Sequence, residues 1–233
     1  MKLALIGYGA MGKLVAGLAR AESDDVGLTI TSHDASQDAS AVANSLRGHD
    51  VAIDFSVGPA VLRNIEACAR AGVPLVEGTT GWQEKIADAH RLVEDHKGAL
   101  VYGANFSVGV NVFYRIVSEA ARLMASLDQY QAFMEEEHHA RKRDAPSGTA
   151  LKLKELMSEY VKTEIPIASV RAGHIPGTHR VGFDSAADQI MLTHMARSRE
   201  GFAAGALLAA RWINGRKGVY EFSEVLNEVM SDE

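Results

Sequence analysis

Between residues 137 and 150 the chain reads Glu137-His138-His139-Ala140-Arg141-Lys142-Arg143-Asp144-Ala145-Pro146-Ser147-Gly148-Thr149-Ala150. Five of the six side chains from His138 to Arg143 are basic or potentially basic, in a chain of net charge −6. Histidine titrates near neutrality and a lysine among other cations can lose its proton more readily, so the loop offers proton donors. Directly behind it Leu153, Leu156, Met157, Tyr160 and Val161 recur at spacings of three and four, the pattern of a half-buried helix. Ser147 or Thr149 is a natural N-cap for that helix, and Pro146 disfavours helix before it. Free N–H groups near Gly148 and Thr149 would then face a carboxylate. Basic side chains beside a helix start suit a small dianion.

Three plainer readings compete. A charge run is usually a solvated loop. The adjacent histidines, with Glu135 to Glu137, could ligate metal. But a His-His pair lacks the i, i+4 spacing that puts two ligands on one helical face, and cysteine ligands are absent, so no metal is expected. Nucleic-acid binding is disfavoured by the acidic total and the lack of interleaved aromatics.

A second chemical motif stands at the N-terminus. Gly7-Tyr8-Gly9-Ala10-Met11-Gly12 follows the apolar run Leu3 to Ile6 and opens a helical pattern over Lys13 to Ala21. In that setting Gly7 permits a tight turn, Gly9 lets the backbone approach a pyrophosphate, and Gly12 allows close helix–strand packing. The ribose partner should end the next strand, Val26 to Thr31, where Ser32-His33-Asp34 stands. Asp34 would hold ribose hydroxyls and favour NAD. Ser32 beside His33 would admit a 2′-phosphate and favour NADP. A simple turn at Asp34 is equally compatible.

These motifs need a scaffold. Strands at Val51 to Phe55, Pro74 to Val76 and Ala99 to Tyr102 alternate with helices at Pro59 to Ala71 and about Gln83 to His96. Such alternation predicts a parallel sheet covered on both faces. Small residues gather where strands end, at 7–12, 56–58, 78–81 and 103–107, the edge where α/β sheets bind ligands. Beyond residue 109 the character changes. A helix over Phe113 to Leu127 precedes a strand over Gln129 to Glu137 and the helix to Lys162. Strands at Ile167 to Arg171, Thr178 to Asp184 and Gln189 to Ala196 follow with few helices between them. That predicts a second, α+β domain with a mixed or antiparallel sheet. Helices at Phe202 to Ile213 and Ser223 to Met230 return to the first.

The totals narrow the class. With 233 residues, 47% hydrophobic and 23% charged, the chain can bury a core. Its single cysteine, Cys68, excludes an intrachain disulfide and sits in a helical pattern as a buried thiol. Gly7 and Gly9 interrupt the first apolar run, so no secretory leader is expected, and no stretch approaches the roughly 20 apolar residues of a membrane span. The expectation is a cytoplasmic protein with no nucleic-acid or membrane partner.

The loop Glu-x-His-His-x-x-Lys-x-Asp-Ala-Pro-Ser-Gly-Thr-Ala closely resembles the signature of the bacterial dihydrodipicolinate reductase family, also called 4-hydroxy-tetrahydrodipicolinate reductase. Further segments are similar in the same order: the N-terminal glycine loop, Ile53 to Ser56, Gly78-Thr79-Thr80-Gly81, Ala104 to Asn111, Val170 to Gly173, Ser198-Arg199 and Phe202 to Ala206. The resemblance implies a Rossmann-type dinucleotide-binding domain, residues 1–109 completed by 200–233. It implies a smaller mixed-sheet domain over 110–199 that binds substrate and builds a homotetramer.

By the same resemblance His138 is the acid/base residue and Lys142 the proton donor, while His139, Ser147, Gly148 and Thr149 bind a cyclic dicarboxylate. The resemblance also implies that Gly7, Tyr8, Gly9, Ala10, Met11, Gly12, Gly78, Thr79, Thr80, Gly103, Ala104, Asn105 and Phe106 line NADPH or NADH; His33 and Asp34 join them on the strand-end reading above, where Ser32 or His33 replaces the family's acidic residue. The implied reaction is hydride transfer to the cyclic substrate to give tetrahydrodipicolinate on the diaminopimelate and lysine route. Another two-domain Rossmann dehydrogenase of amino or sugar acids, or a non-catalytic nucleotide sensor, are the alternatives. The family glycine loop often has one more residue, and the segment from 163 to 190 is short.

Overall fold

The computed structural model describes residues 1–31 and 37–231. Ser32, His33 and Asp34, on which the ribose reading rests, lie outside the described residues. In chain order the elements are β1 (Lys2–Ile6), α1 (Ala10–Ala21), β2 (Asp25–Ile30), α2 (Ala39–Leu46), β3 (Val51–Asp54), α3 (Val61–Ala71), β4 (Leu75–Glu77), α4 (Ile86–Asp95) and β5 (Ala99–Tyr102). Then come α5 (Val108–Met124), β6 (Gln131–His138), α6 (Gly148–Ser158), β7 (Ile167–Arg171), β8 (Thr178–Asp184), β9 (Gln189–Met195), α7 (Glu200–Ile213), β10 (Gly218–Glu221) and α8 (Phe222–Ser231). Two compact units result: Met1–Val108 with Glu200–Glu233, and Gly109–Arg199.

The first unit is a six-stranded sheet in the order β10-β5-β4-β3-β1-β2, parallel at every pairing. Its inner strands are buried on both sides because both faces are covered, and apart from Asp54 and Glu77 at the ends of β3 and β4 their buried side chains are apolar. Leu3, Leu5, Val51, Ile53, Val76 and Val101 pack with α1, α7 and α8. Their alternates Ala4, Ile6, Ala52, Leu75 and Leu100 pack with α2, α3 and α4. This is the doubly wound architecture expected from the alternating pattern.

Two elements escaped that pattern. Asp38 caps α2 by accepting from the Ala41 N–H at 2.8 Å. The helix is only eight residues long and sits directly after the segment outside the described residues. Strand β10 joins the sheet edge through β5, with Val219 opposite Leu100. Four residues with no fully buried side chain carry little hydrophobic signal.

The second unit is a four-stranded mixed sheet ordered β7-β6-β8-β9, with β6 and β7 parallel and the other pairs antiparallel. One face, carrying Ala132, Met134, Val181 and Phe183, packs on Phe113, Val117 and Ala121 of α5 and on Ala150, Leu153 and Met157 of α6. α5 starts at Val108, five residues before the apolar pattern begins, and α6 stops at Ser158 rather than Lys162. On the opposite face the Phe133 ring lies over Gly182, where a Cβ would come within 2.2 Å of it. Among the described residues no helix is long and apolar enough to cross a membrane.

Candidate active site

In the first unit the chain leaves β1 for β2 on one side, and β3 pairs on the other side of β1. At that reversal the loops after adjacent parallel strands diverge and leave a crevice. It encloses about 480 Å3 and is lined by Gly9, Ala10 and Met11 after β1, Phe55 to Gly58 after β3, and Gly78 to Thr80 after β4. Gly7 has φ +84°, and a Cβ there would lie 2.5 Å from the Phe55 carbonyl oxygen. At Gly12 a Cβ would lie 2.1 Å from the Gly7 oxygen, so only glycine allows α1 to start so close to β1. Gly9 differs: its backbone is extended, and a Cβ there meets nothing within 4 Å. No side chain caps α1, so its first N–H groups are left for an anionic ligand.

Six of the residues expected to hold cofactor therefore line the crevice: Gly9, Ala10, Met11, Gly78, Thr79 and Thr80. Gly7 and Gly12 shape it from behind, and Tyr8 packs on the core. Gly103 to Phe106 are not among the lining residues. Gly103 packs on Phe222, Ala104 is exposed, and Asn105 accepts from the Ser107 N–H at 2.9 Å. Phe106 meets Phe55 edge-on at 6.4 Å and bears on the crevice only through that ring. The run Phe55 to Gly58 was not named as cofactor-binding, although its small residues marked a strand-end loop.

In the second unit the period of two puts Glu136 and His138 on the helix-covered face of β6, at its C-terminal end. Register brings Arg171 of β7 beside His138 and His179 of β8 beside Glu136. Glu136 is fully buried. One carboxylate oxygen accepts from Arg171 Nη2 at 2.6 Å and the other meets His138 Nδ1. Arg171 Nη2 also donates to the Asp144 carbonyl at 2.5 Å, tying the basic loop to the sheet. The His138 and His179 rings meet edge to face at 5.1 Å. A backbone turn from His139 O to Lys142 N, 3.0 Å, folds the loop back, and Lys142 Nζ lies 2.8 Å from Asp144 Oδ2.

The expected carboxylate binders divide. Ser147 is buried; its hydroxyl accepts from the Ala150 N–H at 3.2 Å and meets His179 Nε2 at 3.0 Å, so it is committed to the N-cap and to His179. Thr149 shares a side-chain hydrogen bond with Tyr114. Gly148 is exposed at the helix start, and His139 Nδ1 is buried without a hydrogen-bond partner.

Burial lowers His138 from the ordinary histidine value of 6.5, and the cations Lys142 and Arg171 add to this; Glu136 offsets only part of it. Burial, then the His138 charge, pulls His179 down to about 4. Burial alone would raise Glu136, but hydrogen bonds from Arg171 and Ser169 and the His138 charge hold it below 4.5. A buried carboxylate is thus flanked by a guanidinium and an imidazole that is neutral at pH 7. Glu136, His138 and His179 each offer a ligand atom within 4.8 Å of the others. The Arg171 guanidinium already holds one Glu136 oxygen, so a cation placed there would share that carboxylate with a fixed positive charge.

The dihydrodipicolinate reductase N-terminal family model matches residues 1–106, and the C-terminal model matches residues 109–226. A 4-hydroxy-tetrahydrodipicolinate reductase from Christiangramia forsetii is 35% identical over 244 residues, covering 100% of both chains. One from Archaeoglobus fulgidus is 36% identical, covering 97% of this chain and 100% of its own. A dipicolinate-bound dihydrodipicolinate reductase structure from Paenisporosarcina sp. TG-14 superposes with a TM-score of 0.76 at 21% identity, over 95% of this chain and 97% of that one. With both halves matched in order, the chain belongs to the dihydrodipicolinate reductase family.

Proposed function

We propose that this chain reduces cyclic 4-hydroxy-tetrahydrodipicolinate to tetrahydrodipicolinate, with its proton-transfer centre at His138 and Lys142 and its dinucleotide crevice between the loops after β1, β3 and β4. The reductase is an oxidoreductase of the diaminopimelate and lysine route. The observation that carries the site reading is the Glu136–His138 contact beside the Lys142–Asp144 pair. Glycines whose Cβ positions are filled by backbone at Gly7 and Gly12, yet open at Gly9, are what a pyrophosphate lying across a helix start requires. Reduced nicotinamide, when bound, supplies hydride to C4 of the conjugated substrate.

The chain's own residues do the rest. Lys142 Nζ, only partly exposed and held by Asp144, donates the proton that quenches the substrate anion. His138 is neutral near pH 7 and oriented by Glu136, which suits it to hydrogen-bond the reacting group and pass a proton rather than carry one in. His139 and the N–H groups at Gly148 and Thr149 take the substrate carboxylates. Ser32-His33-Asp34 carries a carboxylate for ribose hydroxyls and a histidine for a 2′-phosphate, so NADPH and NADH both fall within the proposal.

We also infer a homotetramer built on the second unit. Supporting it, the sheet face turned away from α5 and α6 presents Val170 at 48%, Met191 at 38% and Met195 at 60% exposure. Reduced cofactor carrying deuterium at both C4 positions should give product with one deuterium; unlabelled product would contradict direct hydride transfer.

A further inference from the structure

Parallel pairing of β3 and β4 sets Asp54 directly opposite Glu77, and the period of two turns both towards α3. Both carboxyls are fully buried in the first unit. Each reaches the backbone of a crevice loop. Asp54 Oδ1 accepts from the Ser56 N–H at 2.7 Å, and Oδ2 accepts from Asn64 Nδ2 of α3 at 2.6 Å. Glu77 Oε1 accepts from the Thr79 N–H at 2.7 Å. The Thr79 hydroxyl links the two loops, receiving the Ser56 N–H at 3.1 Å. Glu77 Oε2 is buried with no donor directed at it. An ionised oxygen left so would be costly, as would two neighbouring charges of one sign. A proton on Glu77 shared with the Asp54 carboxylate removes both penalties.

We propose that Asp54 and Glu77 are positioning residues for cofactor binding: one proton held between them clamps Ser56 to Gly58 and Gly78 to Thr80, the loops that wall the dinucleotide crevice. This rests on reading that crevice as the cofactor site. Glu77 stands well above the usual carboxyl range, through burial first and then the Asp54 charge. Asp54 is raised by burial, against bonds from Asn64 and Ser56. The groups facing the pair are Asn64 and Cys68 from α3, Ser56 and Thr79 from the loops, and Tyr102, opposite Glu77 on β5. Arg63 reaches the pair through the Asn64 amide oxygen at 2.8 Å.

Infrared spectroscopy of cofactor-free protein at pH 7 tests the proton directly. A carboxylic-acid C=O band that shifts in heavy water should be present in wild type and absent in Glu77→Gln. NADPH titration from pH 7 to 9.5 tests the consequence. Wild-type affinity should fall as the proton leaves, by up to about tenfold per pH unit, the limit for one linked proton. Glu77→Gln keeps an acceptor for Thr79 and a donor for Asp54, so it should match wild type at pH 7 and hold that affinity to higher pH. Glu77→Ala should bind about tenfold more weakly at pH 7, as for a buried donor left unmatched. A shared pH slope for wild type and Glu77→Gln, or no acid band, overturns the proposal. Wild type that binds neither NADPH nor NADH overturns the crevice reading itself.

Discussion

Glu136 and His138 stand two residues apart on one face of β6, and a buried Glu136 oxygen meets His138 Nδ1 while the other oxygen takes Arg171 at 2.6 Å. That contact fixes the imidazole with its Nε2 facing Gly177, where a Cβ would lie 3.1 Å away. A glycine there leaves the ring room that a side chain would take. The carboxylate meets the ring and the guanidinium anchors the carboxylate; in the proposed mechanism Lys142, paired with Asp144, is the proton donor.

Replacing Glu136 with Gln should leave an acceptor for Arg171 but remove the charge beside His138. Because Glu136 raises His138 against burial, its loss should shift any His138-dependent limb of the rate profile to lower pH. Turnover should fall roughly ten- to a hundredfold through loss of orientation. A profile measured from pH 5 to 9 on both proteins checks the sign.

Lys142→Ala should lower kcat by about 10²- to 10⁴-fold, the range for a general acid. Lys142 belongs to the second unit and the crevice to the first, so the affinity for NADPH should change little. Steady-state rates with a parallel binding titration separate the two effects. Unchanged turnover would remove Lys142 from the mechanism.

His179 is held neutral, at about 4 rather than 6.5, between Ser147 and His138. A depressed folded value means that this stability is complete above pH 6.5 and is lost as pH falls towards 4. The group's share is ~3 kcal/mol across that window. Urea unfolding at pH 4.5 and 7.5 should show a smaller pH difference in His179→Gln than in wild type.

The two inner glycines should fail differently. Gly12→Ala drives a methyl into the Gly7 carbonyl and should lower Tm and cofactor affinity together. Gly9→Val places its side chain in open space on an extended backbone, so Tm should hold while dinucleotide affinity drops. Thermal melts with and without NADPH distinguish these outcomes.

What the sequence could reveal depended on range. Glycine spacing after β1 and the basic run before α6 are local, and so legible; the alternation of apolar runs likewise gave both sheets their class. Arg171 and His179 join His138 only through the register of β7 and β8, which no local spacing encodes. The same holds for Glu77, which reads as one acidic residue before a glycine until β4 pairs with β3. Ser147 was legible as an N-cap but not as the partner of a histidine 32 residues on. β10 was missed because its place is set by the neighbouring β5 rather than by its own four residues.

The most direct test supplies the cyclic substrate in situ, from pyruvate and aspartate semialdehyde with dihydrodipicolinate synthase, and follows loss of reduced-nicotinamide absorbance. Oxidation of NADPH or NADH that requires both the synthase and this chain, and that Lys142→Ala slows by about a hundredfold or more, is the predicted result. Active synthase and folded protein giving no oxidation with either cofactor would contradict the account.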